Sequence, residues 1–360
     1  MIRPVSHVAA MSPYALAQLD PPAGQRLVSL SQNESLRPPS PLVGQAVAEA
    51  AANGHLYPDP DWTALRARLA ELHGLPEQGL LCGNGSMELI AGLALAFAGP
   101  DAAVLAPANA YPFFRTVAQL ARARFDTAAE VDGCVSVDAL LAAVQPDTRL
   151  VFVANPGNPT GTRISRRDLL RLREGLPDNT LLVIDEAYGE FADDLNEPMF
   201  DLVARGDTVV LRTLSKAYGL AGFRVGWGLF PPQIAVQIRK VMNPNNVSVC
   251  GQAAALAALS DQDYMHETCA LTAELRDRFA DHLRSAGFDF PKSHTNFLLI
   301  RFADQSTATR ADKALREKGI FLRPQSGAGL ANCLRATIGQ TADLELMAAV
   351  LERWAEEFQP

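Results

Sequence analysis

No run of apolar residues in the sequence is long enough to cross a bilayer, and the N-terminus lacks the charged and then apolar layout of a signal peptide. Basic residues are also few, with 32 Lys and Arg against 40 Asp and Glu, and they form no stripe or cluster. This charge pattern argues against a nucleic-acid partner and against an anionic membrane surface. We therefore expect a cytoplasmic protein with neither kind of partner.

Cysteine and histidine are scarce and scattered. The five cysteines are never spaced as Cys-x-x-Cys, so neither a disulfide framework nor a zinc site is indicated. The six histidines contain no His-Glu-x-x-His pattern, which disfavours a metal enzyme. We expect no metal ion and a reducing compartment.

The chain of 360 residues is long enough for about two domains and a large core. From about residue 80 to 230, apolar strand-like runs alternate with helical patterns. This alternation predicts an α/β fold in which helices flank a mostly parallel sheet. We expect an N-terminal arm at 1–41, a large domain at 42–245 and a smaller α+β domain at 246–360.

The most informative stretch is 213–224, Thr-Leu-Ser-Lys-Ala-Tyr-Gly-Leu-Ala-Gly-Phe-Arg. A β-branched apolar run leads into it, so Lys216 is predicted to lie just beyond the carboxyl end of a buried strand, where open α/β sheets bind ligands. Thr213, Ser215 and Arg224 supply the donors and the fixed cation that a phosphate needs. Taken alone, the stretch is explained about equally well as a polar loop with a surface lysine.

Two other apolar runs also end in polar residues. The first is followed by Asn-Pro-Gly-Asn-Pro-Thr-Gly, in which two Asn-Pro turns present Asn158. The second, at 181–184, is followed by Asp185, a carboxylate that is costly to bury unless it meets a cation or donors. Tyr188 could face the same cavity. We expect Asn158, Asp185 and Lys216 to gather at one edge of the sheet, although a structural hairpin and a solvated turn stay alternatives.

Two further segments are weaker candidates for binding an anion. Residues 82–88, Cys-Gly-Asn-Gly-Ser-Met-Glu, precede an apolar helical pattern, and Ser86 can cap a helix whose free N–H groups attract an anion. This predicts a phosphate-binding turn, although a glycine turn before a helix is more often only a turn. The prolines of the run Tyr-Pro-Asp-Pro hold Tyr57 in an extended turn, where it either packs or presents its hydroxyl.

The remaining candidate ligand-binding residues are aromatic or basic. Tyr111, Phe113 and Phe114 follow a short strand and are either core residues or the source of a ring that stacks on a flat cofactor. Arg335 lies within an apolar strand-like run, and a buried guanidinium is costly without an anion. Arg335, with Arg323 nearby in the sequence, therefore predicts an anionic ligand or an acidic partner.

Together these motifs resemble those of the fold-type I pyridoxal 5'-phosphate enzymes, and most of all the histidinol-phosphate aminotransferase branch of the class I and II aminotransferases. The similarity extends over nearly the whole chain, and the motifs at 155–161, 185–188 and 215–224 are the most specific. The resemblance implies an aminotransferase of histidine biosynthesis that uses histidinol phosphate and 2-oxoglutarate. It also implies an obligate homodimer with two shared active sites.

The resemblance further implies roles for individual residues. Lys216 would bond covalently to the cofactor and move the proton during transamination, and Asp185 would pair with the protonated pyridine nitrogen. Asn158 and Tyr188 would bind the phenolic oxygen, while Phe114, or Tyr111 in another register, would stack on the ring. The phosphate would be held by Gly85, Ser86, Met87, Thr213, Ser215, Arg224 and the neighbouring subunit's Tyr57. The substrate would be bound by Arg335, Arg323, Asn33, Tyr14 and Tyr111.

Two departures from the branch bear on the substrate. Phe114 replaces the usual tyrosine, and the segment Asn33-Glu34-Ser35-Leu36 lacks the usual proline at its fourth position. An aminotransferase for aromatic or other amino acids, or a decarboxylase of a phosphorylated amino acid, therefore stays an alternative. A cofactor-binding regulator without turnover is a remote one, because about forty residues of arm leave no room for a DNA-binding domain.

Overall fold

The structure is a computed structural model that describes residues 2–13, 16, 18–192 and 198–358. Helices and strands alternate along most of the chain. The helices are α1 Ser6–Ala9, α2 Pro41–Ala51, α3 Thr63–His73, α4 Ser86–Phe97, α5 Phe113–Leu120, α6 Val137–Ala143, α7 Arg166–Gly175, α8 Pro232–Val241, α9 Val249–Ser260, α10 Gln262–Ser285, α11 Gln305–Arg316 and α12 Thr341–Phe358. The strands are β1 Val28–Ser29, β2 Leu80–Asn84, β3 Ala103–Pro107, β4 Arg124–Ala128, β5 Glu130–Val131, β6 Cys134–Val135, β7 Thr148–Ala154, β8 Leu181–Asp185, β9 Thr208–Thr213, β10 Val225–Leu229, β11 Phe297–Arg301, β12 Ile320–Phe321, β13 Arg323–Gln325 and β14 Leu330–Thr337.

The main sheet has seven strands in the order β2-β10-β9-β8-β7-β3-β4. All neighbours from β9 to β4 are parallel, whereas β10 is antiparallel to both β2 and β9. The central strands are buried on both faces and are therefore almost continuously apolar. This confirms the predicted α/β fold with a mostly parallel sheet.

Strand register brings the three predicted strand ends together. Ala154 of β7 lies opposite Asp185 of β8, and Asp185 lies opposite Leu211 of β9. Parallel strands end at the same edge of a sheet, so the segments after β7, β8 and β9 share that edge. Strand β2 also ends there, because it and β9 are both antiparallel to β10.

Helix α4 begins at this edge of the sheet without the side-chain cap that several other helices have. Helices α6, α7, α9 and α11 each follow a Ser or Asp whose side chain accepts a backbone N–H group of the first turn. Helix α4 follows Gly85, whose φ is +74°, and has no side-chain cap. Its first N–H groups are therefore available to another acceptor.

The described residues form two hydrophobic clusters. The first surrounds the main sheet and includes residues of α9 and Met265 of α10. The second surrounds the antiparallel sheet β11-β14-β13 and includes Val28, Leu30 and Leu36 of the N-terminal segment. The segment also pairs with this part of the chain, since β1 is parallel to β12. The division of the chain at residues 41 and 245 stays a prediction.

Among the described residues, no helix is both long enough and apolar enough to span a bilayer.

Gly226 of β10 permits the close approach of β10 to the start of α4. A Cβ atom at this position would lie 2.2 Å from the Ser86 nitrogen and 2.6 Å from the Gly85 carbonyl carbon. We predict that Gly226→Ala lowers the free energy of unfolding by about 1–3 kcal/mol, because the backbone of α4 must move. Urea unfolding measures the change. Gly222→Ala, where a Cβ would meet nothing within 4 Å, is the control; equal midpoints for the two variants would contradict the prediction.

Candidate active site

Asp185 is a buried carboxylate at the carboxyl end of β8. Its side chain is 5% exposed and accepts a hydrogen bond of 3.2 Å from the Ala187 N–H group. Burial, together with a smaller contribution from the neighbouring Glu186 charge, raises the pKa of Asp185 from 3.8 to about 7. Within the described residues no cation pairs with it, so the site can accommodate a positively charged group of a ligand here.

Lys216 lies on the loop after β9, at the same edge. Its Nζ atom donates to the backbone carbonyls of Asn33 at 3.0 Å and Gln32 at 3.3 Å. Burial, together with smaller contributions from the charges of Arg335 and Arg224, lowers the pKa of Lys216 from 10.5 to about 7. A large fraction of this amine is therefore neutral, and nucleophilic, near pH 7.

The turn between β2 and α4 meets Arg224 to form an anion cradle. The Gly85 N–H group donates to the Arg224 carbonyl at 2.9 Å. A Cβ atom at Gly85 would lie 2.6 Å from Nη2 of Arg224, so the absence of a side chain lets the guanidinium approach. The positive end of α4 and this cation both favour an anion. These contacts bring Gly85, Ser86 and Arg224 together, while Met87, Thr213 and Ser215 stay predicted members of the cradle.

A pair of arginines lies on the antiparallel sheet. Arg335 of β14 is directly opposite Arg323 of β13. Arg335 donates through Nη1 to Oδ1 of Asn158 at 2.6 Å and through Nη2 to the Ser31 carbonyl at 2.9 Å. Like charges opposite one another are unfavourable, so this arrangement suits an anion that both can contact.

The packing of the aromatic cluster disfavours one of its predicted roles. Phe114 is completely buried on α5 and stacks on Phe152 of β7, with ring centroids 4.7 Å apart and an interplanar angle of 12°. Because Phe152 covers one face of this buried ring, the arrangement disfavours stacking of Phe114 on a cofactor, which stays a prediction. Tyr111, which precedes α5 and is only partly buried, lies edge-on to Phe114 at 5.8 Å. Tyr111 is therefore better placed than Phe114 to offer a face to a ligand.

The structure gives less support to three other predicted site residues. Tyr57 is 88% exposed on the surface of this chain. Tyr14 lies outside the described residues. Asn33 is at the site, but its side chain is 1% exposed and contacts Tyr188 and Thr337, which leaves little of it for a substrate.

A buried ion-pair network behind the site was not predicted. Arg212 of β9 donates through Nε at 2.9 Å and Nη2 at 2.8 Å to Glu186, the residue after Asp185. Its Nη1 lies 3.4 Å from Glu190. An arginine inside an apolar strand and a glutamate beside a predicted buried aspartate were the available signals in the sequence.

The fold and the site define a pyridoxal-phosphate-dependent enzyme of fold type I. The chain belongs to the family described as aminotransferase class I and II, whose model matches residues 25–351. It is 40% identical over 326 residues to a histidinol-phosphate aminotransferase of Ruegeria sp. (strain TM1040), covering 91% of this chain and 90% of that protein. It is 39% identical over 348 residues to the histidinol-phosphate aminotransferase of Rhodospirillum centenum, covering 96% of each.

A solved structure is similar over nearly the whole fold. The crystal structure of histidinol-phosphate aminotransferase from Sinorhizobium meliloti in complex with pyridoxal-5'-phosphate has a TM-score of 0.91 and 30% identity, covering 99% of this chain and 98% of that one. Pyridoxal 5'-phosphate is the cofactor of these enzymes. The residues of this chain fit it, because a buried carboxylate without a cation, a lysine of lowered pKa and an anion cradle match its pyridinium, aldehyde and phosphate.

The raised pKa of Asp185 predicts how stability depends on pH. Between 3.8 and about 7 the folded protein binds more protons than the unfolded chain, so the free energy of unfolding falls as pH rises. In the cofactor-free state we expect wild type to lose on the order of 4 kcal/mol relative to Asp185→Asn between about pH 4 and pH 8. Urea unfolding across this range measures the difference.

A surface carboxylate provides the control for this experiment. Asp101 is exposed, and Asp101→Asn should follow the wild-type pH profile. If wild type and Asp185→Asn also had parallel profiles, Asp185 would not be the buried group described here.

Proposed function

We propose that this chain transfers the amino group of histidinol phosphate to 2-oxoglutarate, a reaction of histidine biosynthesis. The observation that carries the proposal is the facing pair Arg323 and Arg335 beside Asn158. Two guanidinium groups match a phosphate dianion, and they also match the dicarboxylates glutamate and 2-oxoglutarate. Both half-reactions can therefore use one site. The names of the two curated relatives favour the same substrate. A cytoplasmic location stays a prediction.

The cofactor would be held at three places. Asp185 would pair with the ring nitrogen and keep it protonated. Asn158 already accepts from Arg335 through Oδ1, so its Nδ2 is oriented as a donor to the phenolic oxygen, together with the Tyr188 hydroxyl. Tyr111 would cover the ring in place of Phe114. The phosphate would bind to Gly85, Ser86, Met87, Thr213, Ser215 and Arg224.

When bound, the cofactor supplies an electron sink for the bond electrons released at the substrate carbon. The protein supplies the acid–base groups. As a free amine, Lys216 would take a proton from the substrate carbon and return one, and its lowered pKa would keep it near the neutral form that this step needs. Arg335 and Arg323 fix the anionic end of the substrate and so hold its reacting carbon near Lys216.

Half-reactions of the cofactor-loaded protein test which amino donor the protein uses. We expect histidinol phosphate and glutamate each to bleach the visible absorption band of the bound cofactor, because each donates its amino group. Histidinol without the phosphate should need at least about tenfold higher concentrations, since it lacks the anion for the arginine pair. Stopped-flow absorbance gives the half-saturating concentrations. Bleaching by phenylalanine and glutamate but not by histidinol phosphate would replace this substrate with an aromatic amino acid.

We propose further that two chains form a dimer with shared active sites. Helix α2 and the segment after it expose apolar surface, with Leu42 of the helix at 50% and Leu56 and Tyr57 of the segment at 60% and 88% exposure. A second chain that covers this surface would place Tyr57 in the partner's site, at the cofactor phosphate. This agrees with the turn Tyr-Pro-Asp-Pro, which fixes the tyrosine away from its own core.

Mixed dimers test the sharing of sites. Neither Lys216→Ala nor Tyr57→Phe alone has a complete site, but each mixed dimer has one. After dissociation and random reassociation, about a quarter of all sites should be complete, so activity should exceed the mean of the unmixed proteins. Each variant taken through the same treatment by itself is the control. Activity no higher than that mean would mean that Tyr57 does not act across the dimer.

A further inference from the structure

We propose that Asn33 is a positioning residue that directs the hydroxyl proton of Tyr188 toward the phenolic oxygen of the bound cofactor. Asn33 donates through Nδ2 to the Tyr188 hydroxyl oxygen at 2.7 Å. Both side chains are buried, at 1% and 3% exposure, so water does not compete for this hydrogen bond. The inference rests on the proposed function, in which Tyr188 binds the phenolic oxygen.

The direction of the Asn33 amide follows from its other contacts. The Asn33 backbone N–H group donates to Oγ1 of Thr337 at 3.0 Å, so the hydroxyl proton of Thr337 is left to donate to Oδ1 of Asn33 at 3.3 Å. Oδ1 thus faces Thr337, and Nδ2 faces Tyr188. With a lone pair of its oxygen accepting from Nδ2, the Tyr188 hydroxyl points its own proton away from Asn33.

The backbone of Asn33 explains why an asparagine suits this position. Its φ is 53°, in the left-handed region that asparagine and glycine tolerate best. In this conformation its carbonyl accepts from Lys216 at 3.0 Å and from Asn296 at 3.2 Å, while its side chain reaches Tyr188. Glycine would keep the backbone but lose the donor, and aspartate would keep the shape but could not donate.

The chemical consequence is a change in the ionisation of the bound cofactor. A hydrogen-bond donor to the phenolic oxygen stabilises the anionic form of that oxygen and so lowers the pKa of the group. An N–H donor on the Tyr188 oxygen makes its O–H a stronger donor and fixes its direction. Loss of the Asn33 amide should therefore raise the pH at which the visible absorption band of the cofactor titrates.

The experiment is a double-variant cycle on the cofactor-loaded protein. Spectral pH titrations are compared for wild type, Asn33→Gly, Tyr188→Phe and the double variant. We expect Asn33→Gly to raise the midpoint by roughly 0.5–1 pH unit, the size of one hydrogen bond, and Tyr188→Phe to raise it more. In the Tyr188→Phe background, Asn33→Gly should cause no further shift. The charged groups around the cleft are kept in every variant: Glu34, Asp185, Lys216, Arg224 and Arg335.

Two further variants and a thermal melt separate positioning from support of the fold. Thr337→Ser keeps the hydroxyl that orients the amide and should leave the midpoint unchanged. Asn33→Ala deletes the same amide without the added backbone freedom of glycine and should give the same spectral shift. A purely structural residue would lower the melting temperature in both backgrounds without a spectral shift that depends on Tyr188.

The outcomes are distinguishable. Equal spectral shifts for Asn33→Gly with and without the Tyr188 hydroxyl, or no shift in either background, would overturn the inference alone. A Tyr188→Phe protein whose midpoint equals that of wild type would remove Tyr188 from the proposed cofactor site, and the role of Asn33 with it.

Discussion

The site depends on a buried acid, Asp185, and a partly buried amine, Lys216, at one edge of the sheet. Burial moves the pKa of the acid up and the pKa of the amine down, so that both lie near 7. In the cofactor-free chain each is held in an environment that disfavours its charged form. A ligand with a pyridinium to face Asp185 and an aldehyde to react with Lys216 relieves both costs, so binding also stabilises the fold.

The ion-pair network behind the site supports this arrangement. Arg212 is 1% exposed and pairs with Glu186, the residue whose charge contributes to the raised pKa of Asp185. The approach of Arg212 requires Gly189, where a Cβ atom would lie 2.5 Å from the guanidinium carbon. Removing Arg212 would deprive the buried carboxylates of Glu186 and Glu190 of this cation, and loss of a partner from a buried ion pair is among the most destabilising changes in a core. Strands β8 and β9 are thereby tied together at the edge of the sheet where Asp185 lies.

The sequence was sufficient to predict those parts of the fold and the site that depend on neighbouring residues in the chain. Apolar runs that end in Asn158, Asp185 and Lys216 predicted both the parallel strands and the edge at which they meet, because strand patterning and turn chemistry depend on near neighbours. The antiparallel direction of β10 was not predictable, since periodicity carries no direction. Which ring of the aromatic cluster packs against β7 was not predictable either, because that choice depends on the neighbouring strand.

The contacts of Asn33 were also not predictable from the sequence. Its contacts lie 155 and 304 residues away in the chain, so no local pattern indicates them. They arise because the N-terminal segment returns to lie along β14, where the Leu30 carbonyl accepts from the Thr337 N–H group at 2.8 Å. The segment was predicted to be an extended arm, and its packing into the second hydrophobic cluster depends on a partner strand that the sequence does not identify.

This pairing also joins the substrate end of the site to the cofactor end. Arg335 and Thr337 are two residues apart on β14 and therefore lie on one face of the strand. Arg335 holds the Ser31 carbonyl, and Thr337 holds Asn33, two residues further along the same segment. The arginine that would bind the substrate anion and the amide that contacts Tyr188 are thus fixed by the same two stretches of backbone. Their positions are not independent, because a displacement of Arg335 along β14 must also displace the support of the Tyr188 hydroxyl.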